Sequence, residues 1–397
     1  MLEKYRSVLG QPGALRFSMT GVIARLPLSM VTLGIVLLVS AHTGSYAAAG
    51  AVSAAYVIAN ALAAIPQGRL MDSLGQRRVL IVGSVVFALA LGLLIESVLG
   101  HWPAPLPHLA AALAGVSQPL IVSAVRARWQ HLLDDPDHLQ TAFAVEAIAD
   151  EIVFMVGPTL VTFLATLWHP AAGLTAALVL GLTGALTLAS QRSTEPPANP
   201  VAAGEKRVAM PWAALAPLTL AGASLGMLFG ATEVATVAFA DALGAKALSG
   251  VLLAIWSFGS LIAGIATGAI SWRLSTLARL RRGALGLSVA MLLTPFVTTI
   301  WLQALVLFVA GFALSPTLIA AVSRLEEVTP RARFSEAMGL LHTGIAAGTA
   351  PGAAIGGVVI DRFGGSAAYW VAVSGAVLAL GCVLLARNRI AEPAQTA

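Results

Sequence analysis

GRLMDSLGQRR, from Gly68 to Arg78, is a short charged segment set between two apolar runs, Tyr46 to Leu70 and Val79 to Leu99. Its residues have separate physical uses. Gly68 lets two helices approach closely, and Gly75 permits a tight turn. Asp72 has two candidate partners, a neighbouring Arg or a helix N-terminus whose dipole favours an anion. Arg77 and Arg78 put two positive charges at the foot of the next apolar run. A basic turn between long apolar segments is the connection expected of a chain that uses lipid as its solvent.

Working outward, the rest of the chain repeats that alternation. Apolar residues make up 58% of the sequence and charged residues only 10%, with a mean hydropathy of +0.87, whereas a soluble domain carries about 25% charged residues. A membrane-spanning helix needs about 20 mostly apolar residues. Six such segments are predicted before a polar break: Leu15 to Val39, Tyr46 to Leu70, Val79 to Leu99, Leu106 to Val125, Gln140 to Leu167 and Ala171 to Ser190. Six follow it: Trp212 to Ala240, Ala247 to Ile270, Gly283 to Ile300, Gln303 to Val322, Ser335 to Ile360 and Ala367 to Arg387. The expected fold class is an all-α membrane protein.

If both termini are cytoplasmic, 20 of the 23 basic residues fall in the inside segments, leaving Lys246 and Arg362 outside and Arg25 within the first span. That bias is the usual one for cytoplasmic loops. The positive charge therefore serves loops beside anionic headgroups, and no nucleic-acid partner is expected. Arg outnumbers Lys 20 to 3, which together with the abundance of Ala and Gly suggests a bacterial source and an inner-membrane location. The opening MLEKYRSVLGQPG has no cleavable signal pattern. Cys382 is the only cysteine, so no intramolecular disulfide or cysteine-rich metal site is expected.

The polar break, Gln191 to Pro211, lacks apolar periodicity and reads as a flexible cytoplasmic linker. It divides the chain into an N-terminal half (1–190), the linker (191–211) and a C-terminal half (212–397). The halves echo each other. Pro119 and the pair Gly157 and Pro158 in the first recur as Pro316 and the pair Pro351 and Gly352 in the second. Two similar halves around a midplane site is a common transporter plan.

With twelve spans, the repeat, the linker and the loop Gly68 to Arg78, the chain resembles the major facilitator superfamily over essentially its whole length. The resemblance implies two pseudo-symmetric six-helix halves that rock about a central site, with Gly68, Asp72, Gly75, Arg77 and Arg78 forming a cytoplasmic latch. The corresponding second-half segment, Gly264 to Arg282, keeps glycines and basic residues but has no Asp. FMVGPTL, Phe154 to Leu160, resembles the Gly-Pro motif of the superfamily's antiporter branch, although Leu160 and Val161 stand where that branch has glycines. Its counterpart PGAAIGG retains Gly352, Gly356 and Gly357. A packing role and an antiporter role both remain open for Gly157, Pro158, Pro351, Gly352 and Gly356. In the drug-antiporter branch, span four carries an Arg four residues before a Gly; here Ala111 precedes Gly115.

Ionisable groups inside spans are functional candidates because each costs about 2.5–3.5 kcal/mol on insertion scales. Arg25 in span one and Asp150 in span five reach similar depths, so Arg25 is expected to pair with Asp150 or Glu151. Glu146 shares a face with Asp150, four residues on. Such a pair is either a fixed structural bridge or a site where a carboxylate exchanges its Arg for a proton or substrate. His342 is a further proton-carrier candidate. Arg25, Gln118 and Glu233 are the candidate contacts to substrate. Glu326, Glu327 and Glu336, near Arg324, Arg331 and Arg333, read as gate ion pairs or solvated surface.

No phosphate-cradling loop, zinc-binding His pair or nucleophile elbow is present, so the chain is not expected to be an enzyme or to need a cofactor or metal. The resemblance implies export of a small, partly apolar organic compound in exchange for protons, by a monomer. Two alternatives stay open: an uptake carrier or uniporter for a sugar or organic acid, and a non-transporting membrane sensor.

Overall fold

The computed structural model of the chain describes residues 2–198, 210–269, 274–330 and 333–385. Among these residues it is helical throughout, with no strand. The first helices are α1 (Leu2–Leu9), α2 (Ala14–Thr43), α3 (Tyr46–Leu74), α4 (Gln76–Leu99), α5 (Pro105–Ser117), α6 (Ile121–Leu132), α7 (Pro136–Leu167) and α8 (Ala172–Ser190). After the linker come α9 (Trp212–Ala242), α10 (Ser249–Ala269), α11 (Thr276–Leu292), α12 (Ile300–Val328), α13 (Phe334–Phe363) and α14 (Gly365–Leu385). Helices are what lipid demands, since they satisfy backbone polar groups within the segment.

Among the described residues, eleven spans are long and apolar enough to cross a membrane, with α5 and α6 together making one of them. The predicted ninth span, Gly283 to Ile300, falls on α11, which has 17 residues and starts with Arg279, Arg281 and Arg282. It stops at Leu292, where Pro295 opens a 3-10 turn in place of another helical turn. Span four is broken. Gln118 takes an extended conformation (φ −60°, ψ 120°), as expected of a residue that precedes a proline, and the helix resumes at Ile121. Pro316 in the second half lies inside the continuous α12, so the sequence repeat does not extend to the break.

Contacts divide the chain into two compact units, residues 1–42 with 55–203, and residues 43–54 with 204–397. Helix α3 is shared, its first turns belonging to the second unit and the remainder to the first. In the first unit Phe17, Leu80, Val125, Trp129 and Leu188 form a buried cluster, with the Phe17 and Trp129 rings edge-on at 4.7 Å. In the second, Leu215, Leu280, Leu325 and Leu341 do the same. Leu62, Leu89, Leu109 and Ile265 stay exposed, the outward apolar face that a lipid solvent accepts.

Residues Gln191 to Ala198 of the expected linker are built into the first unit. Residues 192–194 form a 3-10 turn. The fully buried Arg128 donates to the Leu188 and Gln191 carbonyls, to Thr194 Oγ1 and to Gln76 Oε1, at 2.9–3.1 Å. Residues 199–209 lie outside the described ones.

The second unit depends on close backbone packing between α9 and α13. A Cβ at Gly348 or Gly352 would strike the carbonyl oxygen of Ala223 or Met227. Overpacking of this kind costs about 1–3 kcal/mol. Gly352→Ala is therefore expected to lower the thermal midpoint of the detergent-purified protein. Gly381→Ala, which meets nothing within 4 Å, should leave it level or raise it; equal midpoints for the two variants would contradict the packing.

Candidate functional site

The first unit carries a buried charge cluster where α2, α6 and α7 meet. Arg25 and Glu146 are both fully buried. One terminal nitrogen of Arg25 pairs with Glu146 Oε2, and the other, Nη1, lies 3.1 Å from Asp150 Oδ1. Glu146 Oε1 accepts from Ser18 Oγ and from Trp129 Nε1, each at 2.8 Å. Asp150 Oδ2 also faces Nη2 of the exposed Arg126 at 3.6 Å. The four formal charges sum to zero, and the two that are fully buried, Arg25 and Glu146, neutralise each other.

The two carboxylates are not equivalent. Glu146 is tied by three donors from two other helices, α2 and α6. Asp150 is a quarter exposed and sits between a buried guanidinium and an exposed one. Glu151, the other partner expected for Arg25, forms no ion pair among the described residues and lies half-buried on a different face of α7. The spacing of Glu146 and Asp150 told of a shared face. The role of Trp129 and Arg126 was not read, although both stand in the basic tail of span four.

Gln118 sits in the break between α5 and α6, buried, with Oε1 unpartnered. Unwound backbone and an unsatisfied amide at mid-span mark a place where a ligand group or water can bond. Glu233 is half-buried on α9. His342 is exposed, its Nδ1 lying 2.9 Å from the Met338 carbonyl one turn back. Gly157 packs where a Cβ would meet Ser29 Oγ of α2, and Ser29 Oγ donates to the Val153 carbonyl at 2.8 Å. Gly356 faces Ala231 of α9, and Pro158 and Pro351 lie within α7 and α13.

At the loop Gly68 to Arg78, Asp72 is exposed and makes no hydrogen bond or ion pair among the described residues. Neither expected partner is taken. The N-terminus of α4 is served instead by Glu195, whose Oε1 accepts from the Arg77 backbone N–H at 2.7 Å. Gly75 precedes it at φ 84°, a conformation that favours glycine. On the second-half loop, Arg324 pairs with Glu327 at 3.0 Å, and Thr276 Oγ1 donates to the same carboxylate; Arg331 lies outside the described residues, as does the side chain of Glu336.

The family model described as Major Facilitator Superfamily matches residues 17–296 and 218–397. The chain belongs to that superfamily. It is a multi-pass membrane transporter, and solved structures of such transporters share its fold at low identity. The nucleoside transporter NupG aligns at a TM-score of 0.77 with 14% identity, covering 94% of this chain and 100% of that one. A bacterial homologue of the iron transporter ferroportin, in an inward-facing state, aligns at 0.71 with 15% identity over 94% and 99%. The human organic anion transporter MFSD10 aligns at 0.65 with 18% identity over 95% and 100%. No curated protein matches the sequence significantly.

Removing one partner of a buried pair strands the other charge, at about 3–5 kcal/mol. Glu146→Gln is therefore expected to lower thermal stability more than Asp150→Asn, because Glu146 is fully buried whereas Asp150 is a quarter exposed. A smaller loss for Glu146→Gln in thermal unfolding of the purified protein would reverse the assignment of Glu146 as the fixed member.

Proposed function

We propose that the protein is a secondary active transporter that exports a small, partly apolar organic compound by alternating access, in exchange for protons. The observation that carries this reading is the divided partnership of Asp150, held by buried Arg25 on one side and approached by exposed Arg126 on the other. Burial disfavours a charged carboxylate and a neighbouring guanidinium favours it. A carboxylate that trades its guanidinium for a proton therefore changes charge state as its surroundings change, and this links protonation to conformation. Glu146 keeps Arg25 in place throughout.

Arg25 is engaged by two carboxylates, and an anionic cargo would have to displace one of them. That weighs against the uptake of an organic acid through Arg25. Cargo contact is assigned to Gln118, whose carbonyl oxygen is free to accept, and to Glu233 as counter-charge to a cationic group. The latch loop with Asp72, the division into rocking halves (1–190 and 212–397, joined by 191–211), the monomeric state and the bacterial inner membrane with both termini inside complete the proposal. A carrier without proton coupling is the second reading, supported by Ala111 at the position of the drug-antiporter Arg.

The test is purified protein in liposomes with a pH-sensitive dye inside, an imposed proton gradient, and a panel of cationic, neutral and anionic compounds. Wild type is expected to show compound-dependent proton flux, and Asp150→Asn to lose it while still inserting and still exchanging labelled compound. Gradient dependence unchanged in Asp150→Asn would remove this carboxylate from coupling. Labelled exchange without proton flux in wild type would make the protein a uniporter.

A further inference from the structure

The pattern of Gly68, Asp72 and Gly75 occurs a second time, in a place that the sequence repeat did not direct attention to. Gly357, Asp361 and Gly364, in GVVIDRFG at the end of α13, have the same spacing: glycine, three residues, aspartate, two residues, glycine. The backbone agrees as well. Gly75 has φ 84° and ψ 153°, and Gly364 has φ 87° and ψ 168°. Each glycine follows directly on a helix C-terminus and precedes the next helix.

This second copy is engaged. Asp361 accepts from the Tyr46 N–H at 2.8 Å, from the Ala47 N–H at 3.0 Å and from Ser45 Oγ at 2.6 Å. Those N–H groups are among the four that open α3 and lack a partner within it. The same Ser45 hydroxyl oxygen accepts from the Ala48 N–H, so a carboxylate on α13 and its serine relay serve the start of α3. Gly357 provides the seat, since a Cβ there would strike the Tyr46 carbonyl. Tyr46 is fixed from a second side: its hydroxyl donates to Asp241 Oδ2 at 2.8 Å, and Lys246 Nζ reaches the same oxygen at 3.0 Å. All of these residues belong to the second unit.

The first copy is free in this conformation. Asp72 makes no bond, and a Cβ at Gly68 would meet nothing within 4 Å among the described residues. Asp72 and the bonded N-terminus are at opposite ends of α3, roughly 40 Å apart at about 1.5 Å per residue. The first copy thus lies at one end of this spanning helix, and the second binds its other end.

We propose that Asp361 is a latch for the face opposite the Gly68 to Arg78 loop, binding the N-terminus of α3 in one state and releasing it in the state in which Asp72 is engaged. This rests on the alternating-access reading above. The two latches are then mutually exclusive, and α3 is the element that carries the exclusion from one face to the other.

Hydrogen–deuterium exchange on the full-length protein in nanodiscs tests this without any transport assay. Asp361→Ala is expected to speed amide exchange at residues 45–50 by about tenfold, the combined loss of its three screened hydrogen bonds, and to slow exchange around residues 70–78. Ser45→Ala, which removes one bond, should move both segments in the same directions by less, and this milder variant covers the case in which Asp361→Ala fails to fold. Unchanged exchange at 45–50 would overturn the contact. Faster exchange at 45–50 with no response at 70–78 would leave a local helix cap and overturn the latch. A reciprocal response in a protein that shows no cargo flux would keep the latch and count against the transport reading instead.

Discussion

A guanidinium inside a membrane protein has to be matched by carboxylates or carbonyls, and the first unit is organised around two that are. Arg25 joins α2 to α7 through Glu146 and Asp150, and Trp129 and Ser18 complete the shell of Glu146. Arg128 joins α6 to the end of α8, to the 3-10 turn after it and, through Gln76, to the start of α4. Both side chains are fully buried. Burial removes competing water, so each matched arginine fixes the rotation of its helix as well as its position. Beyond the break that Pro119 imposes at Gln118, α6 supplies both Arg128 and Trp129 to these clusters.

The second unit reaches compactness by another route. Its α9 and α13 meet through Gly222, Gly226, Gly230, Gly344, Gly348 and Gly352, each with a side chain or backbone carbonyl of the other helix where a Cβ would be. Apolar side chains gain nothing by leaving lipid, so close van der Waals packing of small residues takes over as the source of association. Its exposed polar contacts form separate clusters, one at Asp361, Asp241 and Lys246 and another at Arg324, Glu327 and Thr276. Buried charge thus marks the first unit, while the α9–α13 seam of the second is held by backbone proximity. A proton or a charged cargo acts strongly on the first kind of contact and hardly at all on the second.

Much of the fold was legible because lipid imposes length and composition on a span directly. The span predicted from Gln140 to Leu167 is found as Thr141–Leu167, and the Gly-Pro and Pro-Gly stretches lie on helix–helix seams. The ninth span was less legible, since a proline-bearing 3-10 turn shortens α11 without altering its hydropathy. The charge cluster was half legible. Four-residue spacing places Glu146 and Asp150 on one face, but only the rotation of α2 decides that Glu146 takes Arg25 and Glu151 does not. Glu195 was illegible, because a capping carboxylate 118 residues from the N–H it serves leaves no local pattern. The second Gly-Asp-Gly copy was present in the letters. The repeat does not point to it, because the repeat compares equivalent loops, whereas Asp361 is at the far end of a non-equivalent helix.

Magnitudes decide what such contacts can do. Asp361 is exposed, so solvent screening holds each of its bonds to about 1 kcal/mol or less, and three of them sum to a few kcal/mol at most. Driving a two-state equilibrium from 1:99 to 99:1 takes about 5.5 kcal/mol. On the latch proposal, the Asp361 contact alone would bias a conformation without locking it, and a competing contact of similar kind at the other end of α3 would be enough to reverse the bias. The Arg25 cluster differs, since breaking a buried pair costs about 3–5 kcal/mol, more than thermal motion supplies without a proton or ligand to replace the lost partner. On the proposals made above, weak exposed contacts and a strong buried pair would divide the work: the first would set which face is closed, and the second would make the change of face conditional on what occupies the middle.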